Sequence, residues 1–203
     1  MHKYNVIERG KPIQDASRAM IMLHARGGTA EDILAIASRI CDDTFYIVAP
    51  QATNNSWYPE RFIAEEKLNE PWLSSAVQVI NRVIDETAKI IPRENIYLSG
   101  FSQGACLSLE VTARHATKYG GVIAFSGGLI GHTINEKKYH GNYDGTPIFI
   151  GVSEHDPHIP LVRSQESALL LKKMGAEVTL KAYPGTSHII TTAELNWAKT
   201  FLQ

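Results

Sequence analysis

The chain is 203 residues long, with twenty Lys plus Arg against twenty-one Asp plus Glu, a net charge of −1 and two cysteines. That length suits one domain with a substantial core, and balanced charge without a basic patch argues against nucleic acid or an anionic membrane as partner. The opening Met1-His2-Lys3-Tyr4-Asn5 lacks the apolar core of a signal peptide, and no apolar run approaches a membrane span; with too few cysteines for a disulfide framework, the expectation is a cytoplasmic protein without stable membrane insertion.

Strand-like apolar runs alternate with helix-like segments, the pattern of a mostly parallel central sheet covered by helices on both faces. "YNVIERG" reads as an edge strand turned by Gly10 and Pro12, and "AMIMLHA" as a continuous buried strand. The helix after Thr29 places Ile33, Leu34, Ile36, Ala37 and Ile40 at helical spacing. "TFYIVAP" is the next strand. A helix opening just after Pro71 carries Leu73, Val77, Ile80, Ile84 and Ala88 at three- and four-residue steps. "NIYLSG" with its helix, "GVIAFSGG", "PIFIGVS", a helix from about Leu161 to Met174, the strand "AEVTLKAY" and a closing helix with Leu195 and Trp197 complete the chain. Residues 51–70 and 127–145 fit no element. Loops that long in a compact domain are functional or mobile, and in such a sheet both belong beyond the strands' C-terminal ends, where ligands bind.

The most specific local signal is Gly100-Phe101-Ser102-Gln103-Gly104, a G-x-S-x-G between an apolar strand and a helix. In a nucleophile elbow the serine takes a strained backbone conformation, the glycines remove Cβ atoms that would collide, and the first helical N–H groups face any oxyanion formed there. The plainer alternative is a serine that merely caps a helix. A serine is a poor nucleophile at neutral pH, so a base and an orienting acid are required, in the chain order serine, acid, histidine. Only His188, in "YPGTSHII", follows the last predicted strand. Asp156, in "SEHDPHIP", follows "PIFIGVS", where the acid belongs, with Glu154 as the second candidate; Asp144 falls in a turn. Gln103 supplies one oxyanion N–H, and the other comes from the loop Leu23 to Gly28. His24 precedes the serine and reads as a structural hydrogen-bonder. His155, His158 and His188 also raise a metal reading, but the spacing of His155, Asp156 and His158 on a loop is a weak signal, and no metal or cofactor is expected.

These motifs together resemble the phospholipase/carboxylesterase family of α/β-hydrolases, which includes acyl-protein thioesterases and small bacterial carboxylesterases. "IMLHARGG", "APQATNNSWYP", "IYLSGFSQGACLSL", "VIAFSGGL", "GVSEHDPHIPL" and "YPGTSH" fall in family order across nearly the whole chain. The resemblance implies one α/β-hydrolase domain over residues 1–203, Ser102 as nucleophile, Asp156 as acid, His188 as base, oxyanion N–H groups from Leu23 and Gln103, and Trp57 lining the acyl pocket. A homodimer enters by family analogy alone. Where the family usually has His-Gly this chain has His24-Ala25, and a positive φ at that position would strain the oxyanion loop. Dienelactone hydrolases share the fold but typically use cysteine as nucleophile.

The reading that follows is a serine carboxylesterase acting on a small-molecule ester or thioester through an acyl-enzyme. An acyl thioesterase or lysophospholipase with the same triad is the alternative, and a non-catalytic binding protein of the same fold is the third reading. The α/β core uses most of the chain, which leaves no room for a separate cap domain. Residues 51–70 and 127–145 alone remain to cover Ser102, with Trp57, Tyr58, Phe62 and Leu129 as their apolar contributors.

Overall fold

The computed structural model describes residues 1–203. A seven-stranded sheet has the order β1-β3-β2-β4-β6-β8-β9, where β1 is Val6–Gly10, β2 Arg18–Leu23, β3 Phe45–Pro50, β4 Ile96–Phe101, β6 Gly121–Phe125, β8 Pro147–Ser153 and β9 Glu177–Tyr183. β1 runs antiparallel to β3 and every other pairing is parallel. The helices are α1 Ala30–Ile40, α2 Trp72–Ala88, α3 Gln103–Arg114, α4 Leu161–Lys173 and α5 Thr192–Phe201.

Alternation along the strands divides the core. Ala19, Ile21 and Leu23 face α2, α3 and α4 with Leu98, Val122, Ile148 and Ile150, while Met20 and Met22 face α1 and α5 with Phe125 and Phe149. Both sides of the inner strands β2, β3, β4, β6 and β8 are therefore dry, which is why these strands read as apolar runs, whereas the edge strands β1 and β9 are partly exposed. The start of α1 is specified locally: the Thr29 hydroxyl accepts from the Asp32 N–H and the Asp32 carboxylate accepts from the Thr29 N–H, a capping box.

The sequence reading of every sheet strand and helix holds to within a few residues. It misses a short parallel pair between β5, His115–Ala116, and β7, His140–Gly141, too brief for any periodicity. It also misplaces residues 127–145. That segment folds down on α3 and α4: Leu129 is fully buried with its N–H on Ser167 Oγ, and Tyr143 is fully buried with its hydroxyl on Thr112.

What holds that segment is the Glu110 carboxylate, fully buried in α3. One oxygen takes Arg114 Nε at 2.9 Å and Lys138 Nζ at 2.8 Å; the other takes the Tyr139 hydroxyl at 2.8 Å and the Ile130 N–H at 3.1 Å. Glu66, from the 51–70 loop, pairs with the same Arg114 and Lys138. Breaking a buried, fully satisfied charge cluster strands the partners left behind, at about 3–5 kcal/mol. Glu110→Ala is expected to lose about that much stability in urea unfolding, with the sheet intact by circular dichroism; a loss below 1 kcal/mol would show that the cluster is not a clamp.

Candidate active site

β4 lies in the middle of the sheet between β2 and β6, and the chain reverses sharply at its end. Ser102 sits at φ 54°, ψ −114°, a region that L-residues occupy only under constraint. Its N–H donates to Phe125 O at 2.9 Å and its carbonyl accepts from Cys106 N–H at 3.0 Å. Neither Gly100 nor Gly104 needs its freedom for dihedral angles. A Cβ on Gly100 would strike the Gly104 carbonyl, and one on Gly104 would strike the Leu23 carbonyl. The G-x-S-x-G spacing is thus a close-approach requirement that lets α3 start directly against β4 and β2.

The Ser102 hydroxyl lies 2.8 Å from His188 Nε2, and His188 Nδ1 lies 2.7 Å from Asp156 Oδ2. The other Asp156 oxygen accepts the N–H groups of His158, at 2.8 Å, and Ile159, at 2.9 Å. Burial alone would raise this carboxyl. The hydrogen bonds from His188, Ile159 and His158 outweigh that and hold its pKa below the ordinary value. The loops bearing acid and base are joined at their roots, because Glu154 N–H donates to Tyr183 O, His155 N–H to Gly185 O, and Ser153 Oγ to Ser187 O. Phe101 stacks on the His188 ring, centroids 5.0 Å apart, and His158 meets it edge-on at 4.8 Å. Both His188 nitrogens are engaged, which leaves no lone pair for a metal, and no three His, Cys, Asp or Glu side chains stand where they could hold one. Glu154, the second candidate acid, is exposed, and the two His188 nitrogens bond Asp156 and Ser102 instead.

A cleft of about 310 Å³ opens over Ser102, lined by Tyr58, Arg61, Phe62, Phe101, Ile159 and His188, with Ala25, Arg26, Gln103, Cys106 and His158. Of the residues expected from sequence, Ser102, His188, Gln103 and Tyr58 reach it, and Asp156 backs it. Leu23 does not: it is the fully buried last residue of β2, paired in register with Gly100, and the loop residues that line the cleft are Ala25 and Arg26. Trp57 does not either. It is fully buried behind the elbow, its indole N–H on His24 O at 2.9 Å and its ring 4.9 Å from the His24 ring. Leu129 is likewise behind the wall. Ala25 carries no strain, since the left-handed residue of the loop is Gly27 at φ 78°. His24 is structural as expected. It is buried, which lowers its pKa, with Nδ1 on Ala25 O and Nε2 accepting the Ala52 N–H.

The sequence reading did not find Phe101, Arg61 or Ile159 as cleft residues, nor the role of the Gln103 side chain. That amide accepts the Trp57 N–H at 2.8 Å and donates to Tyr58 O at 2.8 Å, bolting the 51–70 loop to the elbow. Arg26 adds a fork onto the carbonyls of Pro59 and Glu60. Cys106, one turn into α3, forms part of the cleft floor, and burial pushes its thiol up to about 12, so it is inert as a nucleophile.

An elbow at the end of a central parallel strand, with a histidine and a carboxylate arriving on the next loops in hydrogen-bonding order, defines an α/β-hydrolase architecture. The phospholipase/carboxylesterase family model matches residues 2–203, and the chain belongs to that family. A phospholipase/carboxylesterase from Dyadobacter fermentans, known from its crystal structure, is 47% identical with a TM-score of 0.97, covering 100% of this chain and 98% of that one. Acyl-protein thioesterase 1 of Gibberella zeae is 34% identical over 140 residues, 68% of this chain and 57% of the relative. A probable carboxylesterase of Arabidopsis thaliana is 30% identical over 152 residues, 73% of this chain and 58% of the relative. The match therefore spans somewhat under three-fifths of the length of these two curated relatives.

The depressed Asp156 pKa makes a pH prediction. A carboxyl whose folded pKa lies below its unfolded value stabilises the fold above the unfolded value, and the contribution is lost as pH falls through the folded one. The unfolding free energy of the protein minus that of Asp156→Asn is thus expected to shrink on acidification below about pH 4, the unfolded aspartate value. A difference that is flat, or grows, over that range in urea unfolding would be incompatible with the carboxylate bonding described.

Proposed function

We propose that the protein is a serine esterase in which Ser102, His188 and Asp156 form the catalytic triad. The reading rests above all on the unbroken hydrogen-bonded chain Ser102 Oγ, His188 Nε2, His188 Nδ1, Asp156 Oδ2, at 2.8 and 2.7 Å. Ser102 Oγ attacks the carbonyl carbon of a small ester or thioester while His188 Nε2 takes the hydroxyl proton. The imidazolium is stabilised by Asp156 and hands that proton to the departing alcohol or thiol. Water then attacks the acyl-enzyme, with its proton going to His188, and Ser102 is regenerated as the acid leaves. The oxyanion is held by the N–H of Gln103, which as the first residue of α3 has no intrahelical partner. The second donor is assigned to the Ala25–Arg26 stretch in place of Leu23, since both of those N–H groups lack an intramolecular acceptor and both residues line the cleft.

Ser102→Ala and His188→Ala are each expected to cut kcat/KM by roughly 10⁴-fold or more with the fold retained, and the double variant to lose little beyond either, because triad members act as a unit. Asp156→Asn should cost roughly 10³- to 10⁴-fold, since an amide favours the wrong imidazole tautomer. Additive losses, or a larger effect from Glu154→Gln, would overturn the assignment. Labelling of Ser102 by a fluorophosphonate separates this enzyme from a binding protein of the same fold.

The substrate range we infer is small to medium acyl groups. At about 310 Å³ the cleft is at the lower end of small-molecule sites, and Tyr58, Phe62 and Ile159 give it a short apolar wall. One observation favours the long-chain alternative. On the far side of Phe101 lies a second groove of about 310 Å³, lined by Ile33, Ile36, Ile189 and Ile190 and sharing Ala25 and Phe101 with the cleft. A chain long enough to pass Phe101 would enter it. A buried methylene is worth about 0.8 kcal/mol, roughly fourfold in rate when fully realised. Across 4-nitrophenyl esters below their critical micelle concentrations, kcat/KM is expected to rise for the first few carbons and then flatten. A sustained rise of about fourfold per carbon to palmitate would favour the thioesterase or lysophospholipase reading instead.

A further inference from the structure

The lining of the Ser102 cleft holds two arginines and two histidines and no carboxylate side chain. Arg26 is spent, its guanidinium committed to the Pro59 and Glu60 carbonyls, and His188 is committed to Ser102 and Asp156. Arg61 is committed to nothing. Among the other arginines, Arg9, Arg18, Arg93, Arg114 and Arg163 each pair with a carboxylate, and Arg82 lies over the Tyr4 ring. Only Arg39, exposed at the end of α1, and Arg61 have neither kind of partner, and of these two only Arg61 faces a cavity containing a candidate nucleophile.

The surrounding acids do not supply the missing partner. Glu65 pairs with Lys67, and Glu66 is held by Arg114 and Lys138 on the far side of the loop. The Arg61 backbone is nevertheless fixed: its carbonyl accepts the Ala64 N–H at 3.0 Å and Asn69 Nδ2 at 3.2 Å. Asn69 is fully buried, and the adjacent Phe62 is 5% exposed with its carbonyl on Gly131 N–H. An anchored main chain thus presents an exposed guanidinium fork without an intramolecular partner to the cleft. A guanidinium matches the two oxygens of a carboxylate or phosphate, and its charge persists at every pH the enzyme would meet.

We propose that Arg61 is a specificity-determining residue that binds an anionic group, carboxylate or phosphate, carried by the ester substrate. The proposal rests on the esterase reading of Ser102. It narrows the substrate class to esters with a second, negatively charged end, and it makes a neutral ester of equal size the poorer substrate.

The test compares matched ester pairs differing in one anionic group. 4-(Butanoyloxy)benzoate against its methyl ester places a carboxylate on the alcohol side. The 4-nitrophenyl monoester of adipic acid against 4-nitrophenyl methyl adipate places it on the acyl side. 4-(Butanoyloxy)phenyl phosphate against its dimethyl ester substitutes a phosphate. The readout is the ratio of kcat/KM for the anionic to the neutral member. At least one pair is expected to give a ratio of about tenfold or more, the worth of a charge-assisted hydrogen bond. Arg61→Gln should bring that ratio to within about twofold of one, Arg61→Lys should retain part of it, and added salt should compress it in the unmodified protein. Ratios near one for all three pairs, or a preference that survives Arg61→Gln, overturn the proposal while leaving the esterase intact. Absence of Ser102-dependent hydrolysis of the neutral esters would remove both readings.

Discussion

The structure depends on one backbone constraint, a serine held at φ 54°, ψ −114° at the end of a central strand. Such a conformation costs of order 1–3 kcal/mol and persists only where neighbours over-determine it. Here the Ser102 N–H is tied to β6 through Phe125 O, its carbonyl opens α3, and the glycines on either side allow α3 to sit directly against β4 and β2. The same turn decides where everything else must go. With the hydroxyl lifted off the C-terminal edge of β4, the partners have to arrive on loops leaving the same edge. β8 and β9, two and three strands along, deliver Asp156 and His188 there.

α3 carries a second burden. It is buried on all sides from Gln103 to Ala113, yet includes Gln103, Ser108, Glu110 and Thr112. Buried polar groups are costly unless bonded, and each of these is bonded. Gln103 grips residues 57 and 58, Glu110 grips residues 130 and 139, Thr112 receives the Tyr143 hydroxyl, and Ser108 folds back onto Gly104 O. The helix behind Ser102 is thus the post to which both long loops are fastened. Because Glu66 shares Arg114 and Lys138 with Glu110, the two loops are also fastened to each other. This gives a cleft of fixed shape without a separate cap over it.

How much of this was legible follows from where each kind of information resides. Strands buried on both faces announce themselves by composition, and the hydrogen-bonded chain of Ser102, His188 and Asp156 was findable because side-chain type and chain order carry it. Which backbone N–H faces the cleft was not, because a backbone N–H has no residue identity. Leu23 and Arg26 differ there only by which peptide faces the cleft, a matter of where β2 ends. Trp57 misled for a related reason. A large aromatic in a loop near the site suggests a pocket wall, whereas its indole N–H found a buried carbonyl and its ring found His24. Residues 127–145 carry no signal of an element, so sequence alone does not show that they fold onto α3 and α4. Their anchors, Glu110, Ser167 and Thr112, lie far away in sequence, on the mid-sections of helices.

The openness of the cleft has a bearing on how selectivity can arise in it. An apolar wall open to water on one side discriminates weakly, since each methylene is worth at most about 1 kcal/mol and less when half solvated. Tyr58, Phe62 and Ile159 supply such a wall, and the Phe101 ring, which stacks on His188, separates it from the groove formed by Ile33, Ile36, Ile189 and Ile190. Strong discrimination in a shallow site has to come from a polar group that goes unsatisfied when the wrong ligand binds, or from a fixed charge. The polar groups around Ser102 are nearly all used internally: Gln103 and Arg26 by the loop, Asp156 by His188 and two amides, His24 by Ala25 and Ala52. Rigidity has therefore been obtained by closing most donors and acceptors onto the protein itself, the buried Tyr58 hydroxyl being left without a hydrogen-bond partner. The groups left facing outward include Ser102, the free N–H groups of residues 25, 26 and 103, the His158 ring and the guanidinium of Arg61; under the proposed function these would meet a carbonyl at which negative charge develops and a second site of negative charge.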